Sequence, residues 1–118
     1  MESRSTSDVL DRHLKAFAED DVDGLLADYS SDAVLFAPTG LLRGPNAIKP
    51  LFNALVAEFA KPGSSFTIEQ RLVDGDHAYI LWTAETADHW YEFATDTFVV
   101  RNGKIVAQSF AAKIKPKL

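Results

Sequence analysis

As far as Phe59 the apolar residues recur at helical spacing, broken by one short hairpin; beyond it they fall at alternate positions. The stripe Leu10, Leu14 and Phe17 predicts a first helix, begun by any of Ser5 to Ser7 as cap, with His13 on the same stripe. Asp20-Asp21 interrupts it and caps a second short helix with Val22, Leu25, Leu26 and Tyr29 inward, so the first helices cover about 5–29. Ala33 to Ala37 is an apolar run of strand length. Pro38-Thr39-Gly40 turns it back through Leu41 to Arg43, a short hairpin over 33–43. Gly44-Pro45 then opens a third helix over 45–60, with Ile48, Leu51, Phe52, Leu55, Val56 and Phe59 inward and a kink or restart expected at Pro50.

From Phe66 the period is two. Strands over 66–73 and 78–86 flank the turn Asp74-Gly75-Asp76, and Asp88-His89 is the next reversal. Asn102-Gly103, a pair that tolerates positive φ, then joins two further strands. The result is an antiparallel meander over 66–113. The fold class is α+β, one domain over 1–118 with helices on one face of a curved sheet. In the strand Ala78 to Thr86, Ile80 and Trp82 share one face while Tyr79 and Leu81 share the other. A strand apolar on both sides is covered on both, and the helices cover only one. A homodimer through the outer sheet face follows, with Ile80 and Trp82 read as its contacts.

Asp96 breaks this pattern. Strand alternation sets it beside Ala94, Phe98 and Val100, where a carboxylate is costly unless paired or protonated. Composition narrows what it can do. The chain has 118 residues, 47% hydrophobic and 25% charged, as in ordinary globular proteins. A net charge of −5 speaks against a nucleic-acid surface, and the lack of cysteine removes thiolate metal sites and disulfides. The polar start Met1 to Ser7 lacks the apolar core of a signal peptide, and no apolar run approaches a membrane span. A cytoplasmic location is expected.

In their order and spacing, Asp20-Asp21-Val22-Asp23-Gly24-Leu25-Leu26, Asp32-Ala33-Val34 through Pro38-Thr39-Gly40, and Arg43-Gly44 resemble the nuclear transport factor 2-like superfamily. Asp96-x-Phe98 and Asn102 to Val106 extend the likeness, which is to the SnoaL-like polyketide cyclase and ketosteroid isomerase branch. The resemblance implies a cystatin-like, cone-shaped barrel: a curved, mainly antiparallel sheet with three N-terminal helices on its concave face, enclosing an apolar pocket. Asp96 matches the aspartic acid that donates a hydrogen bond to the substrate oxygen in ketosteroid isomerases, kept neutral there by an apolar site. His13 matches their second oxyanion donor, a tyrosine. The position of their general base is Ala37, which moves no proton, so steroid isomerisation by that mechanism is not implied.

Two readings of the site follow. In the first, His13 and Asp96 hydrogen-bond in the pocket and perform cofactor-independent acid–base chemistry, of isomerase or cyclase type, on an apolar carbonyl ligand. Glu85, on the Tyr79, Leu81 and Thr83 face taken as pocket-facing, is there the replacement for the missing base or a ligand contact at the mouth; its place near a strand end fits a solvated glutamate instead. In the second, His13 and Asp96 are a structural polar pair in a non-catalytic binding or dimerisation domain. Tyr29, Phe36, Tyr79, Leu81, Trp90, Phe98, Gln108 and Phe110 are the expected ligand-binding residues. His13, His77 and His89 lack metal-ligand spacing, so no metal is expected.

Overall fold

The computed structural model describes residues 5–117; the polar start at residues 1–4 lies outside them. Helix α1 (Thr6–Ala18) begins at Ser5, whose hydroxyl accepts from the Asp8 amide while the Asp8 carboxylate returns the bond, a reciprocal cap. Helix α2 (Val22–Ala27) is capped by Asp21, which accepts from the Gly24 amide at 2.9 Å. Strands β1 (Tyr29–Ala37) and β2 (Gly40–Arg43) form the short hairpin, and α3 (Pro45–Phe59) follows. It runs as one helix through Pro50, so no restart occurs there. Strands β3 (Ser65–Asp74), β4 (His77–Glu85), β5 (His89–Arg101) and β6 (Lys104–Pro116) make the meander.

The turn between β5 and β6 is as its dipeptide predicts. Asn102 has φ of 52° and Gly103 of 74°, the positive pair that matches the twist of a two-residue hairpin.

All six strands form one open sheet in the order β2-β1-β6-β5-β4-β3, antiparallel except where β1 runs parallel to β6. That parallel pairing changes one expectation. Tyr29 is not the last inward residue of α2 but the first of β1, opposite Ile105. The Ile105 amide donates to the Asp28 carbonyl at 2.7 Å, and this long-range bond overrides the helical period of the local sequence.

The sheet curves because its ladders slip. Register shifts fall between Ile68 and Gln70 in β3 and between Tyr91 and Phe93 in β5, and each extra residue bends its strand. α1 packs on β4 and β5, and α3 on β1 and β2. Two ties hold the helices over the concave face. Thr6 donates to the Gly75 carbonyl at 2.6 Å, fixing the start of α1 to the β3–β4 turn. At the other end, Glu58 of α3 accepts from Thr86 at 2.6 Å, from Tyr91 at 3.2 Å and from His89 at 3.0 Å.

The faces of β4 are the reverse of the expectation. Ile80 and Trp82 are buried under the helices, while Tyr79 and Leu81 lie on the outer, half-exposed side. Cross-strand register explains it: Ile80 pairs with Asp96 and Ala78 with Phe98, so all four share the concave face.

Candidate functional site

Between α1, α3 and the concave sheet lies a cavity with about 600 Å³ of empty space counting its open mouth. Its walls are apolar. Phe17 and Phe59 meet edge to face at 5.3 Å, Phe66 lies 5.1 Å from Trp82, and Phe110 stacks on Trp82 at 6.3 Å and 11°. Phe66 remains 38% exposed and so stands at the opening. Only three side chains with polar hydrogen-bonding groups other than the indole N–H reach this lining: His13 from α1, Asp96 from β5 and Gln108 from β6.

Asp96 is buried and fully engaged. Trp82 Nε1 donates to its Oδ2 at 2.8 Å, and Gln108 Nε2 to its Oδ1 at 2.9 Å. Burial raises its pKa above the ordinary carboxylate value; the two donors and the nearby His13 oppose that rise without cancelling it.

His13 and Asp96 face the same cavity but do not touch each other. The expected direct bond is replaced by a partner that the pattern reading missed, Asp28. Completely buried at the end of α2, Asp28 accepts from His13 Nδ1 at 3.2 Å. Its other oxygen accepts from Arg12 at 2.9 Å and 2.7 Å. Burial alone would raise the Asp28 pKa, but the bonds from His13 and Arg12 outweigh it, and the carboxyl is held below its usual value. On the far side of the ring, the Tyr29 hydroxyl lies 3.4 Å from His13 Nε2 and donates to Gln108 Oε1. Burial first, then the charges of Asp96 and Asp28, push the Tyr29 hydroxyl well above the ordinary phenol value.

One unbroken chain results: Arg12, Asp28, His13, Tyr29, Gln108, Asp96, Trp82. Among the described residues no buried side-chain polar atom lacks a partner.

The other expected residues divide. Phe98, Gln108 and Phe110 line the cavity, and Tyr29 lies beneath it in the hydrogen-bond chain. Tyr79 and Leu81 point to the outer face. Phe36 is 52% exposed on that same face, because its neighbour Leu35 takes the inward position opposite Gln108. Trp90 is exposed under the Lys117 ammonium at 5.1 Å. Glu85 is not at the cavity; it is exposed and ion-paired with Lys117 at 2.6 Å. Among the described residues no three His, Asp or Glu side chains converge as a metal would need.

The SnoaL-like domain family matches the chain over residues 10–108, and the chain belongs to it. Its solved relatives place that domain in the nuclear transport factor 2-like fold. An NTF2-like protein from Mesorhizobium loti superposes with a TM-score of 0.74 at 22% identity, covering 96% of each chain. A polyketide cyclase candidate from Sinorhizobium meliloti gives 0.68 at 23% identity, over 88% of this chain and 94% of that one. TerC, crystallised with polyporic acid, gives 0.73 at 15% identity, over 92% and 91%. At these identities the likeness is one of fold. No curated protein matches the chain in sequence.

Proposed function

We propose that the chain is a small-molecule pocket protein whose cavity takes an apolar carbonyl compound, oriented by Asp96 and His13 for acid–base chemistry that routes no step through a cofactor. The observation that supports this most is a buried carboxyl with a raised pKa set in an aromatic cavity that opens to solvent. A carboxyl of that kind serves as a hydrogen-bond donor when neutral and as a base when ionised, and groups so tuned cluster at functional sites. The relative crystallised with polyporic acid is consistent with a small organic ligand in this fold.

The non-catalytic reading also has an observation in its favour. Both oxygens of Asp96 already accept hydrogen bonds from protein donors, so a ligand must share or displace one. In this reading the chain binds without turnover.

We further infer a homodimer through the outer sheet face, where Phe36 and Leu72 are 52% and 54% exposed and where Tyr79, opposite Leu72, and Leu81 point away from the cavity.

Saturation-transfer NMR with acetophenone tests the site. Asp96→Asn and His13→Phe are each expected to weaken binding, Asp96→Asn by about tenfold, the worth of one good hydrogen bond. Unchanged binding in both variants, with only stability lowered, would overturn the reading.

A further inference from the structure

The hydrogen-bond chain between His13 and Asp96 contains three links: His13 Nε2 to Tyr29 Oη, Tyr29 Oη to the Gln108 amide, and the Gln108 amide to Asp96 Oδ1. Each link needs one proton between its heavy atoms. Tyr29 supplies one, and the Gln108 amide supplies one whichever way round it lies, because one end always donates and the other always accepts. The third must come from an end of the chain, either from His13 Nε2 or from Asp96.

Two arrangements satisfy all three links. In the first, His13 carries the proton and donates to Tyr29, Tyr29 donates to Gln108 Oε1, and Gln108 Nε2 donates to ionised Asp96. In the second, neutral Asp96 donates to Gln108 Oε1, the turned amide donates to Tyr29, and Tyr29 donates to His13 Nε2. With no end proton, one link has no donor. With two, either the Tyr29 hydroxyl hydrogen has no acceptor in the chain or Asp96 carries its proton on Oδ2, the oxygen at which the Trp82 N–H already points; both are costly in a buried site.

We propose that His13 and Asp96 share one proton through Tyr29 and a reversible Gln108 amide, which makes Tyr29 and Gln108 positioning residues for the acid–base chemistry of the cavity. The exchange passes no proton through the amide. Water in the cavity, which both ends line, gives a proton to Asp96 and takes one from His13, while the amide turns over and the hydroxyl rotates. Atoms and charge balance.

The groups facing the pair fit this count. Asp28, held ionised by Arg12, fixes Nδ1 of His13 as a donor, which leaves Nε2 as the variable nitrogen. Tyr29, with its hydroxyl pushed far above the ordinary value, stays protonated. Trp82 faces Asp96 as a donor only. The sharing of the proton concerns the ligand-free chain and stands without a ligand, while the positioning role of Tyr29 and Gln108 rests on the acid–base reading proposed above.

The test is a pH titration of the full chain, labelled with ¹⁵N and ¹³C and free of ligand, following His13 Nε2 and Asp96 Cγ by NMR. Coupled groups titrate in macroscopic steps that belong to the pair. Both nuclei are expected to show the same two midpoints in the unsubstituted chain. Gln108→Leu should reduce each to a single midpoint of its own. Tyr29→Phe cuts the path one link earlier and keeps the ring, so it should do the same. Separate single midpoints in the unsubstituted chain would overturn the proposal, as would shared midpoints that survive either substitution in a folded variant.

Discussion

Trp82 Nε1 donates to Asp96 Oδ2 at 2.8 Å between neighbouring strands, so the carboxyl of the cavity and its largest aromatic wall are held as one unit. The indole keeps the carboxyl on the concave face; burial keeps the carboxyl easy to protonate.

The pH dependence of stability follows from that burial. The pKa of Asp96 is raised in the folded chain above the unfolded value of 3.8. Its contribution is therefore fully present below that value and is lost as pH rises through the folded pKa. Asp96→Asn removes the titration. Urea midpoints measured from pH 4 to pH 7 should fall less with rising pH in the variant than in the unsubstituted chain. Parallel profiles would contradict the burial argument.

Asp28 runs the other way. Its folded pKa is lowered, so its contribution is present above 3.8 and lost only as pH falls through the folded value. At pH 7, Asp28→Ala leaves His13 and Arg12 without their shared acceptor and should cost about 3 to 5 kcal/mol in urea denaturation. A loss below about 1 kcal/mol, typical of an exposed pair, would show that the pair is not energetically buried.

Glu58 ties α3 to the β4–β5 turn. Glu58→Ala leaves the hydroxyl of fully buried Thr86 with only the long 3.4 Å bond to the His89 carbonyl and should cost about 1 to 3 kcal/mol. The same change should move the Tyr91 hydroxyl back toward the ordinary phenol value. Burial raises it first and the Glu58 charge second, so the return is partial. Alkaline difference absorbance at 295 nm reads this shift; an unmoved Tyr91 would contradict the assignment.

For the outer face, Leu81→Lys sets a charge at the centre of the inferred contact and leaves the cavity on the opposite side untouched. Sedimentation velocity at micromolar concentration should show a dimer for the unsubstituted chain and a monomer for the variant. A monomer in both cases would remove the interface.

Much of the fold is legible in the pattern of residues. The switch of period after Phe59, the capping at Ser5 and Asp21, and Asn102-Gly103 each act locally, so they read directly. The site is less legible because it depends on pairings across the sheet. That Ile80 rather than Leu81 faces the cavity is decided by its register opposite Asp96, and the slip near Glu92 changes which residues of β5 share a face. Tyr29 leaves the helical pattern only because Ile105 binds the chain beside it. Asp28 lay hidden among the acids Asp20, Asp21 and Asp23, exposed caps and surface residues that look alike in sequence. What singles it out is position: it stands between buried Leu25 and buried Tyr29, within hydrogen-bond reach of Arg12 and His13 on α1.

The Trp82 indole gives the most direct test of the cavity as a ligand site, since its N–H touches Asp96 while Trp90, the only other tryptophan, is exposed at the far end of β5. In ¹H–¹⁵N spectra of the labelled chain, acetophenone should shift the Trp82 indole resonance saturably and leave that of Trp90 in place. In Asp96→Asn the same titration should saturate at about tenfold higher concentration. An unmoved Trp82 resonance, or equal affinity in the two proteins, would contradict the account.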